Sequence, residues 1–281
     1  MFNYAKKSRA KEVGRKHYDK GNGLYQAMLG ERMVYTSGYW RDADNLEESQ
    51  EYKLNLVCKK IELEQGDRIL DIGCGWGSFA KFAAEEYGAE VVGITVSEEQ
   101  QKLAKERCED LAVEIRLQDY RDLEEKFDHI VSLGMFEHVG HKNYRTYMEV
   151  VESCLKDEGL FLLDVIGNYR TTYRIDPWIE KYIFPNSMLP SVKQIGQAID
   201  GLLVMEDWHN FSADYDKTLL AWYKNFVSSW GQLKDDYPDR FYRMWEYYLL
   251  SCAATFRARK SQQWQIVLSK DGVEGGYRST R

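Results

Sequence analysis

Three glycines and three carboxylates are placed where they could do chemistry. Asp71 opens the run Asp71-Ile72-Gly73-Cys74-Gly75-Trp76-Gly77-Ser78, directly after the apolar pair Ile69-Leu70. An apolar strand that enters alternate glycines and then a helix can turn sharply and bring its backbone close to a ligand. The carboxyl end of a first strand is where open α/β sheets bind nucleotides. The spacing here is GxGxG after an acid, not the GxGxxG that seats a pyrophosphate on a helix N-terminus. A plain strand-turn-helix is the alternative. Glu137 follows a second apolar stretch, 128–133, and so stands at the same sheet edge as an anchor, a base or a solvated loop acid. Asp164 lies in the apolar run 160–165, in the same layer as Gly73 and Glu137. A carboxylate at a buried strand end is costly unless paired or neutral. With Glu137 nearby, one of the two is expected to hold a proton near neutral pH, unless Asp164 turns away to cap a backbone amide.

Holding these residues in one layer requires alternating strands and helices. Segments 68–72, 90–96, 112–117, 128–133 and 159–166 read as short apolar strands. Segments 78–87 and 142–155 read as helices, and another starts where Ser97 precedes Glu98-Glu99 with the signature of an N-cap and acidic first turn. This order predicts a doubly wound parallel sheet with helices on both faces. Residues 1–65 read as a helical, polar segment broken at Gly21-Asn22-Gly23 and near Gly38. Beyond 166 the alternation stops. Three of the four prolines, Pro177, Pro185 and Pro190, fall in a stretch too long for an ordinary loop. We read it as a lid or substrate insertion over about residues 167–210, with a strand near 203–208. A helix rich in Trp and Tyr is expected over 216–259 and a last strand over 263–269. The tail 271–281, with glycines and charges, is expected to be disordered. The domain reading is therefore 1–65 as a helical cofactor lid, 66–270 as the catalytic domain, and 271–281 as tail.

Composition removes several function classes. The 281 residues carry 38 basic against 45 acidic side chains, a net charge of −7, which argues against nucleic acid as partner. A local basic run from Lys6 to Lys16 holds six Lys and Arg against Glu12 alone. It is either a solvated helix face or a contact for anionic lipid headgroups, each basic residue adding about 1 kcal/mol. The five cysteines form no CxxC pair, which reads as a reducing compartment with neither a zinc site nor a disulfide framework. No apolar run has the length of a membrane span, and the basic N-terminus lacks the apolar core of a secretory signal. The expectation is a cytoplasmic protein that meets lipid peripherally, at the inner face of the membrane. Aromatic residues make up 14% of the chain, enough for core alone and also suited to a pocket for an apolar or cationic species.

The glycine loop resembles the first motif of class I methyltransferases. Further segments resemble cyclopropane-fatty-acid synthases and the related mycolic-acid methyltransferases. They are His17-Tyr18-Asp19, Tyr35-Thr36-Ser37-Gly38-Tyr39-Trp40, Gly93-Ile94-Thr95-Val96-Ser97 with Gln100, Gly134-Met135-Phe136-Glu137-His138-Val139-Gly140, Tyr182-Ile183-Phe184-Pro185-Asn186, Trp208-His209-Asn210-Phe211 and Asp214-Tyr215-Asp216. The resemblance spans about residues 15–269. It implies a Rossmann-like class I methyltransferase sheet with a helical N-terminal segment and a lipid-binding insertion. It also implies S-adenosyl-L-methionine as cofactor and, as substrate, membrane phospholipid with unsaturated acyl chains. A homodimer is compatible with it. For the cofactor it implies Tyr18, Tyr35 and Thr36 in the closing segment, Gly73 and Gly75 along the loop, Thr95 and Gln100 at the ribose and adenosine, and Asp119 and Tyr120 at the adenine.

An isolated alkene is a poor nucleophile, so a site for this reaction must hold it in line with the sulfonium methyl and exclude water. Transfer leaves a carbocation, which aromatic faces stabilise, and loss of a proton then closes the ring, which needs a base. In the resembled synthases that base is a bound bicarbonate. The matching positions are Ser37 and Ile166 for backbone contacts and Glu137, Asp164 and Tyr215 for side chains. Asp164 departs from the pattern, which commonly has histidine there. An ionised aspartate only accepts hydrogen bonds and repels an anion. Either Asp164 is protonated, or a carboxylate replaces bicarbonate as base, or deprotonation is impaired. Cyclopropanation of acyl chains leads the readings, followed by C-methylation without ring closure, methylation of a small molecule, and a non-catalytic binding relic.

Overall fold

The computed structural model describes residues 21–281. Helix α1 (Asn22–Leu29) and helix α2 (Leu46–Lys60) frame an irregular segment of residues 30–45. The alternating unit follows: β1 (Arg68–Ile72), α3 (Ser78–Tyr87), β2 (Glu90–Thr95), α4 (Glu98–Arg107), β3 (Val113–Leu117), β4 (His129–Leu133), α5 (Tyr144–Cys154) and β5 (Leu160–Asn168). Ser97 caps α4 as its sequence predicts, accepting from the Gln100 amide. After β5 come a short helix α6 (Pro177–Tyr182), α7 (Val192–Ile199), β6 (Val204–Asn210), α8 (Ser212–Leu233), α9 (Asp239–Arg257) and β7 (Ser261–Ser269). The seven strands form one sheet in the order β3-β2-β1-β4-β5-β7-β6.

Strands β1 to β5 pair in parallel, and their crossovers place helices on both faces. β7 runs antiparallel to both β5 and β6, a reversal that apolar patterning does not reveal. Phe161, Leu162, Leu163 and Val165 of β5 are fully buried, so the strand is packed on both faces. The predicted insertion shrinks, because 204–210 is a sheet strand and Ile195, Ala198 and Ile199 of α7 join the core beneath the sheet. The predicted helix 216–259 is two helices. A 3-10 turn, Lys234–Asp236, ends the first. Pro238, which has no N–H to donate, starts the second in extended conformation.

The tail does not match the expectation of disorder. Tyr277 donates its hydroxyl to the Lys60 carbonyl at 2.8 Å. Ser279 and Arg281 both bind the Asp207 carboxylate on β6, Arg281 at 2.5 and 2.6 Å. Composition suggested a solvated tail because it cannot show that its charges have a buried acid to meet. In the N-terminal segment, the helical reading holds for α1 and α2. Residues 30–45 are instead fixed by contacts to distant elements. The Tyr39 amide donates to the Ser49 carbonyl, the Gly38 amide to the Thr218 hydroxyl, and the Trp40 amide to Asp214.

Candidate functional site

Two clefts meet at the carboxyl ends of the parallel strands. The larger, about 1360 Å³ counted out to open solvent, is built around the loop after β1. Gly73, at φ +84°, has a Met135 side chain 2.6 Å from where a Cβ would stand. Gly75, at φ +55°, has no described residue within 4 Å of its would-be Cβ, which leaves open the space a ligand takes. The Gly73 and Cys74 amides both bond the Ile94 carbonyl, tying the loop to the end of β2. There Thr95 donates its hydroxyl to Gln100 Oε1 at 2.8 Å, and both side chains are buried. Asp119 and Tyr120 close the far side, with Arg121 held on the Asp119 carboxylate. Tyr35, Thr36 and Trp76 form the near wall. Asp71 lies beneath. Burial pushes its carboxyl up to about 7, against the opposing charge of Lys53. Lys53 is itself buried and donates to the Thr36 hydroxyl at 2.8 Å. Glycines that leave room, paired polar groups and aromatic faces together fit an adenosyl sulfonium.

The second cleft, about 690 Å³, shares Tyr35, Thr36, Gly134 and His138 with the first. After β4 the chain turns at Gly134 (φ +71°) into the 3-10 turn Phe136–His138. This turn brings Glu137 back toward β5. Glu137 Oε1 accepts the Ile166 amide at 2.7 Å. Its Oε2 is buried and has no hydrogen-bond partner among the described residues. Desolvation pushes its carboxyl up to about 8, the Ile166 amide opposes this, and nearby Asp164 adds to it. The remaining walls are apolar and aromatic: Phe184, Leu189, Tyr215, Leu219, Tyr248 and Phe256. Tyr215 packs against Phe256 with ring centroids 4.5 Å apart, and the Tyr35 and Tyr248 hydroxyls meet at 2.9 Å.

The structure therefore gathers Tyr35, Thr36, Gly73, Gly75, Thr95, Gln100, Asp119 and Tyr120 into one cleft, and Glu137, Asp164, Ile166 and Tyr215 into the adjoining one. Tyr18 and the basic run 6–16 lie outside the described residues. Ser37 is fully buried, donates its hydroxyl to the Gly38 carbonyl, and is not on either cleft wall. Asp164 does not turn away to cap a backbone amide; it lines the second cleft and binds two side-chain amides. Its Oδ1 accepts from Gln263 Nε2 at 2.5 Å and its Oδ2 from Gln265 Nε2 at 3.0 Å. Burial raises its proton affinity, while Lys53 and the two amides lower it. Lys53, Gln263 and Gln265 escaped the sequence reading. For the glutamines a signal existed, since two amides alternate within an apolar last strand.

Known proteins share this chain's sequence and fold. The cyclopropane-fatty-acyl-phospholipid synthase of Escherichia coli K12 is 57% identical over 281 residues, covering 100% of this chain and 73% of that protein. A probable fatty acid methyltransferase of Pseudomonas putida is 36% identical over 93% of this chain and 70% of its own length. A sphingolipid C9-methyltransferase of Komagataella phaffii is also 36% identical, over 98% of this chain and 62% of its own. Among solved structures, the mycolic acid cyclopropane synthase CmaA1, in complex with SAH and CTAB, superposes with a TM-score of 0.87 at 27% identity, covering 92% of this chain and 98% of that one. The cyclopropane synthase MmaA2 of Mycobacterium tuberculosis has the same fold at a TM-score of 0.88 and 24% identity, with the same coverage of 92% and 98%. A family profile described as mycolic acid cyclopropane synthetase matches residues 5–266, and with these relatives on both sides the chain belongs to that family.

Proposed function

We propose that the two clefts divide one reaction: the first holds S-adenosyl-L-methionine, and the second holds the acyl double bond and takes up the proton released on ring closure. The chain is an S-adenosylmethionine-dependent enzyme that adds a methylene group across the cis double bond of an unsaturated acyl chain of membrane phospholipid, giving a cyclopropane fatty acid. The observation that carries the division is the shared wall. Tyr35, Thr36, Gly134 and His138 border a glycine-lined cleft on one side and an aromatic cleft with a buried carboxyl on the other.

When bound, the cofactor supplies an electrophilic methyl group. This chain's residues do the rest. Gly75 leaves room for the cofactor, Gly73 lets the loop turn against Met135, and Thr95, Gln100, Asp119 and Tyr120 bind its polar and aromatic parts. Tyr215, Tyr248, Phe184 and Phe256 exclude water and offer ring faces to a developing cation. Ile166, through its amide, orients Glu137.

The lipid is met at the membrane. Tyr169, Tyr173 and Tyr247 are more than half exposed. Arg170 lies over the Tyr169 ring, and Trp178 of α6 joins Tyr247 of α9 at 4.5 Å. Exposed aromatics beside cations suit a headgroup layer. No described helix is long and apolar enough to cross a membrane. The reading is therefore peripheral contact from the cytoplasmic side, at the inner face.

The test is mass spectrometry of acyl chains after incubating the chain with S-adenosylmethionine and vesicles of cis-unsaturated phospholipid. A gain of one CH2 with loss of alkene reactivity means a ring. C-methylation without ring closure is the second reading, favoured by Asp164 and by the C9-methyltransferase name of one relative. It predicts a methylated chain that keeps its alkene reactivity. Acyl chains with no added carbon would remove both readings.

A further inference from the structure

We infer that bicarbonate has no place in the acid–base cleft of this chain, and that the Glu137 carboxylate itself takes the proton released as the ring closes. The inference rests on the ring-forming reading above. The five positions at which the resemblance implies bicarbonate contacts do not present what an anion needs. The Ile166 amide is already bonded to Glu137 Oε1 at 2.7 Å. Ser37, for which a backbone contact is implied, does not line this cleft. Asp164 offers only acceptor oxygens, and both already take amide N–H groups from Gln263 and Gln265. Having turned their nitrogens toward Asp164, these two amides leave Gln263 Oε1 and Gln265 Oε1 buried without a hydrogen-bond partner among the described residues. Glu137 Oε2 is in the same condition. Among these five positions and Gln263, only the Tyr215 hydroxyl adds a side-chain donor at the wall.

Charge argues the same way. An anion beside Asp164 would need a nearby cation, yet neither of the two ammonium groups that act on Asp164, Lys53 and Lys60, lines this cleft. Lys53 Nζ donates to Thr36 Oγ1 at 2.8 Å. Lys60 Nζ lies 3.0 Å from His209 Nδ1 and 3.7 Å from Asp207. A buried carboxyl oxygen without a donor is poor at holding an anion and well suited to receiving a proton.

Of the two carboxyls, Asp164 has an amide donor on each oxygen, the arrangement that favours its ionised form. Glu137 has one amide and one bare oxygen, so the proton goes to Glu137. Among the described residues, the titratable groups around Glu137 are Asp164 from β5, Tyr144 and Tyr147 from α5, Tyr215 from α8, Tyr248 and Cys252 from α9, and Tyr35, with His138 next in the chain. None is a fixed cation. The step balances within the chain and its substrates. One C–C bond forms between an alkene carbon and the incoming methyl as the methyl's bond to sulfur breaks. A methyl C–H bond then breaks. Its proton passes to Glu137 Oε2, and its electron pair closes the second C–C bond at the cationic carbon. Glu137 afterwards returns the proton to water.

The test compares the full chain in CO2-free buffer and with bicarbonate added back, on cis-unsaturated phospholipid vesicles. Ring product and S-adenosylhomocysteine release are followed together, and bicarbonate is titrated into the protein by calorimetry. The expected result is an unchanged ring rate and no heat of bicarbonate binding. Glu137→Gln should lose ring product by ~10² to 10⁴ and keep its affinity for S-adenosylhomocysteine, and bicarbonate should not restore it. The wild-type comparison requires no variant to fold. A wild-type ring rate that falls on depletion and returns with bicarbonate, or saturable bicarbonate binding, overturns the inference while the ring-forming reading stands. A wild type that methylates without closing a ring overturns both.

Discussion

Gly75 and Gly66 give a matched pair that separates backbone strain from loss of cofactor. Both have positive φ, +55° and +88°, and a Cβ built on either meets none of the described residues within 4 Å. An L-residue forced into the left-handed region costs about 1–2 kcal/mol. For a chain of this size that lowers the melting temperature by roughly 2–8 °C at either position. The difference lies in what occupies the free space. Gly66 is exposed in the turn before β1, whereas Gly75 borders the larger cleft. A valine at 75 puts three carbons where cofactor atoms belong. If about three ligand atoms lose their seats, at roughly 0.3–1.5 kcal/mol each, affinity falls by ~1–4 kcal/mol, or about 5- to 10³-fold. Calorimetric titration with S-adenosylhomocysteine reads this directly, alongside thermal melts. Gly66→Val should lose stability and keep its affinity; Gly75→Val should lose both. Wild-type affinity in Gly75→Val, or an equal loss in the two variants, would refute the cradle.

Further outcomes follow from the same geometry. With the Glu137 carboxyl pushed up to about 8, ring formation should rise about tenfold per pH unit below that value and level off above it; a flat profile through pH 8 counts against Glu137 as base. The same shift has a stability sign. The folded chain holds a proton that the unfolded chain releases near 4.5. Stability is therefore fully present below that pH and lost as pH rises through about 8, at up to about 1.4 kcal/mol per unit. Urea unfolding across pH should show a shallower slope for Glu137→Gln. Gly167→Ala would set a Cβ 2.0 Å from the Trp264 ring, which is locked against Trp208 at 4.9 Å. Overpacking of that kind costs about 1–3 kcal/mol, read as a lower melting temperature. Asp207→Asn should release the tail, visible as faster hydrogen exchange and protease cleavage within 271–281, with the sheet amides unaffected.

The parts of this molecule legible in its sequence are those written in local patterns. Strand 68–72 and helix 78–87 stand where apolar runs, the glycine loop and the helical pattern put them. Glu137 and Asp164 fall at one sheet edge because strand ends in a parallel sheet share a layer. Which residues face each other across long separations is not written locally. The reversal of β7, the anchoring of the tail on Asp207 and the break between α8 and α9 were all missed for this reason, although Pro238 marked the last of them.

Asp164 shows the limit most clearly. Taken alone, it is an acid in an apolar strand with no visible means of support. Its support lies 99 and 101 residues downstream, on a strand running the other way. The trace was present in Gln263-Trp264-Gln265. Neighbours two apart on a strand share a face, and a buried strand gains nothing by carrying two amides on one face unless something opposite takes their hydrogen bonds. Asp164 and these glutamines form one unit. Replacing the acid without them would leave two amides unpaired in the core, and keeping it without them would leave a bare carboxylate. An exchange at 164 therefore has to be judged with positions 263 and 265 in the same variant.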